Sequence, residues 1–163
     1  LLVPLKYSKV FSFPLIIVDF ESNYDATVVS KLKSHGAIIV GKTNMDEFGM
    51  GSYNHNTSFG SCVDNRCLNS QGFGRVVGGS SGGSAASVLF GTGVASIGTD
   101  TGGSVRNPAS HCKLFGFKPS YGAISRFGLM SYAHSLDTIG IIGQHLNDIE
   151  IIFCKSFDLY NRF

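Results

Sequence analysis

Apolar positions at Val28, Val29 and Leu32 recur at helical spacing behind Asp25, and His35-Gly36 follows them. The spacing predicts a short helix with Asp25 as N-cap and the glycine as stop. Residues 37–40 form an apolar run that predicts a short buried strand. A helix followed by a glycine-bounded apolar strand is the cadence of an α/β sheet. Residues 41–79 are rich in Gly, Asn and Ser without a lasting period, and predict loop with one helical turn within 45–50. A loop of that length in a compact domain is usually functional.

Small residues dominate 81–90 and predict a helix packed very close to neighbouring backbone, ended by the glycines at 91 and 93. Residues 94–98 predict a second buried strand and 99–103 a Gly-rich turn. A short helix then starts near Ser104 and is limited by Pro108, so Ser104 lies at a strand-to-helix junction. Residues 136–142 predict a further apolar strand, and Asn147 caps a terminal helix through Ile149, Ile151, Ile152 and Phe153. No internal repeat is evident.

Composition narrows this picture. At 163 residues the chain suffices for one compact domain, which buries roughly two-thirds of the surface its unfolded form exposes. Hydrophobic residues make up 43% and charged residues 15%, which excludes a disordered solvating tail and points to surface covered by other material. The formal charge of +2 is too small to argue for a nucleic-acid groove on its own and no polybasic run appears, so an RNA would be held mainly by another subunit or segment. Cys62, Cys67, Cys112 and Cys154 lack C-x-x-C spacing and read as reduced, mostly buried thiols. His35, His55, His111, His134 and His145 are scattered, which argues against a metal. The apolar opening is broken by Lys6, Lys9, Pro14 and Asp19, well short of the ~20 residues that span a bilayer. The first residue is Leu1, as expected of a fragment.

Candidate chemistry lies in two Gly/Ser clusters, residues 78–84 (GGSSGGS) and 98–110 (GTDTGGSVRNPAS). Uncovered backbone N–H groups beside a helix start bind anions or developing oxyanions. Either cluster alone reads better as a loop that merely permits tight packing, because Gly/Ser loops are common. Neither contains G-x-x-x-x-G-K-[ST] or G-x-G-x-x-G, so nucleotide binding falls behind. Residues 79–83 satisfy G-x-S-x-G, a nucleophile elbow with Ser81 attacking and Asp137 and His145 as partners, although residues 71–77 make a poor strand before it. The alternative nucleophile is Ser104, where the N–H groups of Thr101, Gly102, Gly103 and Ser104 can converge on an oxyanion.

These clusters, with FGFKPSYGAISRFGL at 115–129 and SLDTIG at 135–140, resemble the amidase signature family. YDATVV from Tyr24 and GKTNMDEFGMGS from Gly41 are similar to its members that serve as the glutamine-hydrolysing component of glutamyl-tRNA(Gln) amidotransferases, especially mitochondrial ones. The resemblance implies an α/β amidase signature fold, with a mixed central sheet covered by helices on both faces, present here as a partial core. It implies a divergent or truncated segment over 1–23 and the central part of an amidase domain over 24–163, incomplete at both ends.

By resemblance, Ser104 is the nucleophile, Ser80 a bridging serine after a cis peptide bond, and a buried lysine the base. Thr101, Gly102 and Gly103 would form the oxyanion hole, with Ser81 and Arg106 supporting it. Ammonia released from glutamine would pass to the B-subunit of the complex, which uses ATP and Mg to amidate Glu-tRNA(Gln) and is joined by a small third component. This chain would carry no cofactor, and the compartment would be the mitochondrial matrix, or the cytoplasm of a bacterium. A free-standing amidase for another amide, or an inactive fragment, shares the same signatures. The family's lysine lies in a V/I-K-D-N segment that residues 1–23 do not match, so neither Lys6 nor Lys9 is assigned the role. Val77 stands where proline commonly precedes the glycines, and Lys113 where glycine commonly follows the cysteine. Asp100 is an expected ion-pair partner for Arg106, Asp46 and Glu47 brace a turn, and Asp137 reads equally as a brace or a turn residue. Tyr121 reads as packing.

Overall fold

The computed structural model describes residues 2–4, 11–13, 17–20, 24–55 and 57–156. Its main sheet has five strands: β1 (Leu2–Pro4), β4 (Gly41–Thr43), β7 (Ala95–Asp100), β8 (Phe115–Phe117) and β9 (Thr138–Gly143), in the order β4-β1-β7-β9-β8. β1 runs parallel to β4 and β7, whereas β9 is antiparallel to β7 and β8, so the sheet is mixed. Two short antiparallel ladders stand apart, β2 (Phe11–Phe13) with β3 (Ile17–Phe20) and β5 (Val63–Asp64) with β6 (Arg75–Val76).

Helices cover both faces. On one face α1 (Thr27–Ser34) and α4 (Leu146–Ser156) pack Val28, Val29, Leu32 and Ile149 against Ile97, Ile139 and Ile141. On the other, α2 (Gly82–Leu89) and α3 (Arg106–His111) pack Ala85, Val88, Val105 and Ala109 around Ile142. Each fully buried Val, Leu or Ile contributes about 1.5–3 kcal/mol. β7 and β9 are buried along their whole length, which is why both are short runs of apolar and small residues.

Several sequence expectations move. Ala26, not Asp25, is the N-cap of α1; the Asp25 carboxylate instead accepts from Lys33 Nζ at 2.6 Å. Residues 37–40 are not a strand. Ala37 and Ile39 pack on the core while Ile38 and Val40 face outward, and pairing starts only at Gly41, opposite Leu2. β7 begins one residue later than expected, leaving Val94 exposed, and β9 two residues later. The turn within 45–50 is a 3-10 helix at Glu47–Gly49. α3 starts at Arg106, and Pro108 lies inside its first turn, where a missing N–H removes no helical bond. α4 begins at Leu146, so Asn147 is within the helix rather than its cap, and Ile151 is exposed. The ladder of β5 with β6, and strand β8, lack a periodicity that would have announced them.

Candidate active site

The buried central strand β7 ends at Asp100, and Ser104 follows in the turn before α3. Asp100 is fully buried and organises that turn. Its carboxylate accepts from the N–H groups of Gly103 (2.8 Å), Val105 (3.0 Å) and Arg106 (3.2 Å), and from Arg106 Nε (3.0 Å) and Nη2 (2.9 Å). Burial pushes its pKa up, but the guanidinium and the three backbone donors outweigh burial and hold it below the ordinary 3.8. Arg106 is therefore the partner of Asp100, and Ser104 is half-buried.

The second cluster lies against the first. The Gly79–Ser80 peptide bond is cis, and Ser80 is fully buried. Its Oγ has no hydrogen-bond partner among the described residues. Ser81 N donates to Ser104 O at 3.0 Å, joining the two clusters backbone to backbone. Asn107 Nδ2 donates to Gly79 O (3.1 Å) and Ser52 O (3.0 Å), and Asp46 N donates to Ser80 O (3.1 Å). At Gly98 a Cβ would fall 2.6 Å from Val105 Cγ2 and 2.7 Å from Ser81 Oγ, so only glycine lets β7 carry both loops.

This geometry bears on the competing assignments. Ser81 Oγ is fully buried, accepts from Thr99 N (3.2 Å) and sits 3.3 Å from Thr99 O as donor, while His145 is exposed and Asp137 binds elsewhere. That is a structural hydroxyl, and the elbow reading loses its nucleophile. Gly103 gives its N–H to Asp100; among the described residues the N–H groups of Thr101, Gly102 and Ser104 remain without a protein acceptor. Asp46 is buried, and its carboxylate accepts from Asn54 N at 3.1 Å, while Glu47 accepts from Ser58 Oγ. Burial raises the Asp46 pKa above 3.8 against the N–H groups of Asn54 and Tyr53 and the nearby His55.

Tyr121 is half-exposed, and its hydroxyl donates to His134 O at 2.7 Å, so it fastens a turn rather than filling a core. Of the cysteines only Cys112 is buried, which corrects the expectation of mostly buried thiols; burial lifts it to about 11. Lys6 and Lys9 lie outside the described residues. Asn107 was missed by sequence reasoning, because its two carbonyl partners come from distant loops. Asp100 was seen only as a partner for Arg106, although an Asp three residues before a glycine is a turn signal in its own right.

The sequence profile of the amidase family matches residues 15–158. The chain belongs to the amidase signature family. Among family members, the mitochondrial glutamyl-tRNA(Gln) amidotransferase A-subunit of Candida albicans is 50% identical over 148 residues, covering 91% of this chain and 31% of that protein. The glutamyl-tRNA(Gln) amidotransferase A-subunit of Campylobacter hominis is 48% identical over 151 residues, covering 93% and 32%. The crystal structure of the corresponding A-subunit from Thermotoga maritima superposes with a TM-score of 0.87 at 41% identity, covering 98% of this chain and 35% of that one. The chain thus spans about a third of the length of the amidase-family relatives it matches. Among the described residues no helix is long and apolar enough to cross a membrane.

Proposed function

We propose that this chain is the nucleophile-bearing part of a glutamine amidase that works as the A-subunit of a glutamyl-tRNA(Gln) amidotransferase. The observation that carries the reading is the bond from Ser81 N to Ser104 O, which holds the bridging-serine loop against the nucleophile loop. Ser104 Oγ attacks the side-chain amide carbon of glutamine and passes its proton through Ser80 Oγ to a base. The N–H groups of Thr101, Gly102 and Ser104 receive the developing oxyanion. The base returns that proton through Ser80 to the departing nitrogen, ammonia leaves, and water then releases glutamate from the ester. A hydroxyl as buried as that of Ser80 costs about 1–3 kcal/mol unless it is bonded, which supports a relay whose base comes from outside the described residues.

β1 suggests where to seek the base. It runs parallel to β7 with Leu2 opposite Ser96, so β1 points toward the end of the sheet at which β7 reaches Asp100. Lys6 follows two residues later in the sequence, and on this ground it becomes the first candidate, although motif spacing had assigned it no role. The ammonia is used by the B-subunit, with ATP and Mg bound there, and a small third component completes the complex. Mitochondrial and bacterial relatives both support the A-subunit reading, and the mitochondrial ones favour the matrix as compartment.

The test uses the full-length protein in its complex. Ser104→Ala and Lys6→Ala should abolish ammonia release from glutamine, Lys9→Ala should not, and added ammonia should restore tRNA amidation in each inactive variant. Turnover by Ser104→Ala would remove the nucleophile assignment. Failure of added ammonia in an assembled complex would remove the amidotransferase one.

A further inference from the structure

β9 and β7 pair as far as Asp100 opposite Thr138, so Thr101 and Asp137 face each other just beyond the ladder. Asp137 is 2% exposed. Its Oδ1 accepts from Thr101 Oγ1 at 2.5 Å and from Ala133 N at 3.1 Å. Its Oδ2 accepts from Ser131 Oγ (3.0 Å), Tyr132 N (2.7 Å) and Ala133 N (3.1 Å). The carboxylate is thus shared between one turn and one foreign hydroxyl, that of Thr101.

That turn is itself fixed. Leu136 N and Asp137 N both donate to Ala133 O at 2.9 Å, while Arg126 Nη2 and Tyr121 OH each donate to His134 O at 2.7 Å. Arg126 Nη2 also reaches His134 Nδ1 at 2.7 Å. With the turn anchored from within and from without, Thr101 must follow Asp137 rather than the reverse. At the far end of the same loop, Asp100 clamps Gly103, Val105 and Arg106. Two buried carboxylates therefore hold the two ends of the segment that carries Ser104, and between them Gly102 touches nothing a Cβ would meet.

We infer that Asp137 is a positioning residue for the nucleophile loop, acting through the Thr101 hydroxyl to aim the N–H groups of Thr101 and Gly102. The inference rests on the reading of Ser104 as nucleophile. Those N–H groups are among the ones Asp100 leaves unoccupied, and their direction depends on how Thr101 is held. A hydroxyl locked on a saturated carboxylate fixes that direction before substrate arrives, and a misplacement of about 1 Å at such a site costs on the order of 100-fold in rate.

In the full-length complex, Thr101→Val and Asp137→Asn should each lower kcat for glutamine hydrolysis about 100-fold, with KM changed less than about threefold. Thr101→Ser, which keeps the hydroxyl, should stay within about threefold of wild type. The double variant should be no slower than either single one, because both remove the same link. Effects that multiply, a Thr101→Ser as slow as Thr101→Val, or a Thr101→Val with wild-type kcat would each overturn the inference. If Asp137→Asn does not fold, the Val and Ser variants at position 101 decide alone. Ser104→Ala in the same assay separates the two levels: activity there sinks the nucleophile reading, whereas an inactive Ser104→Ala beside an unimpaired Thr101→Val sinks only the positioning role.

Discussion

Lys113 turns the chain left-handed at φ 58° directly after α3, where Lys113 N closes on Ser110 O and Leu114 N on Ala109 O. A side chain in that conformation is disfavoured by about 1 kcal/mol relative to glycine. Lys113 is exposed, and among the described residues its ammonium has no acidic partner that would offset this. Lys113→Gly should therefore stabilise the protein by about 1 kcal/mol and raise the thermal midpoint by about 2–4 °C; an unchanged or lower midpoint would show that the lysine is held by something else. Titration adds a second residue-scale expectation. Asp100 and Asp137 have pKa values below 3.8; in both, burial raises the pKa but the donors around the carboxylate outweigh it. Their contribution to stability is present above that value and is lost as pH falls through their folded pKa values. Asp46 is shifted the other way by burial, so it detracts from stability when ionised and is relieved as pH falls through its raised pKa. The midpoint should thus hold or rise slightly on acidification from neutral pH and drop below about pH 4. Asp46→Asn should flatten the first limb and Asp100→Asn weaken the second.

At this scale the sequence marks Ser80 and Ser104 as candidates because their chemistry is concentrated in two short motifs. It was not legible at Asn107 or in the Asp137–Thr101 bond, whose partners are brought together only by the tertiary fold.

Among the elements, α2 and β7 form the junction on which both loops depend. Ser84 Oγ donates to Ile97 O at 2.8 Å and pairs with Thr43 Oγ1 at 2.8 Å, while Ser96 Oγ donates to Ser84 O at 2.7 Å. Small residues along α2 let its axis come this close. Gly98→Ala tests the junction, since the added methyl would meet Val105 Cγ2 at 2.6 Å and Ser81 Oγ at 2.7 Å. Overpacking of this kind costs about 1–3 kcal/mol. Because the two contacts belong to the two loops, the proposed glutamine hydrolysis by the full-length protein should fall together with the midpoint of unfolding. A variant that is destabilised but fully active would show that the loops adjust independently. The small-residue run of α2 and the apolar run of β9 were readable as elements, with edges off by one or two positions. Residues 37–40 misled because an apolar run records burial on one side only, whereas strand pairing is decided by β1, which lies across the sheet. β8 was invisible for a related reason: FGF is too short to carry a period.

The whole molecule leaves Ile38, Val94, Phe73 and Phe127 each more than two-thirds exposed, which agrees with the sparse charge of the sequence and with a surface that other material covers. Fold class was legible from the alternation of helix and apolar strand. The strand order was not, because nothing in a linear pattern says that β1 enters between β4 and β7. That insertion governs how the chain assembles. The sheet joins residues 2–4, 41–43, 95–100, 115–117 and 138–143, so few of its ladder contacts are local and the search for them is slow. No hairpin or helix pair contains both candidate catalytic serines together with Asp137. The candidate site should therefore mature in the last step of folding, after every strand has docked. In pulsed hydrogen exchange during refolding of the full-length protein, the amides of Ser81 and Thr99 should gain protection in the same phase as those of β9. Protection of Ser81 ahead of β9 would mean that the two serine loops can meet without the strand that anchors them.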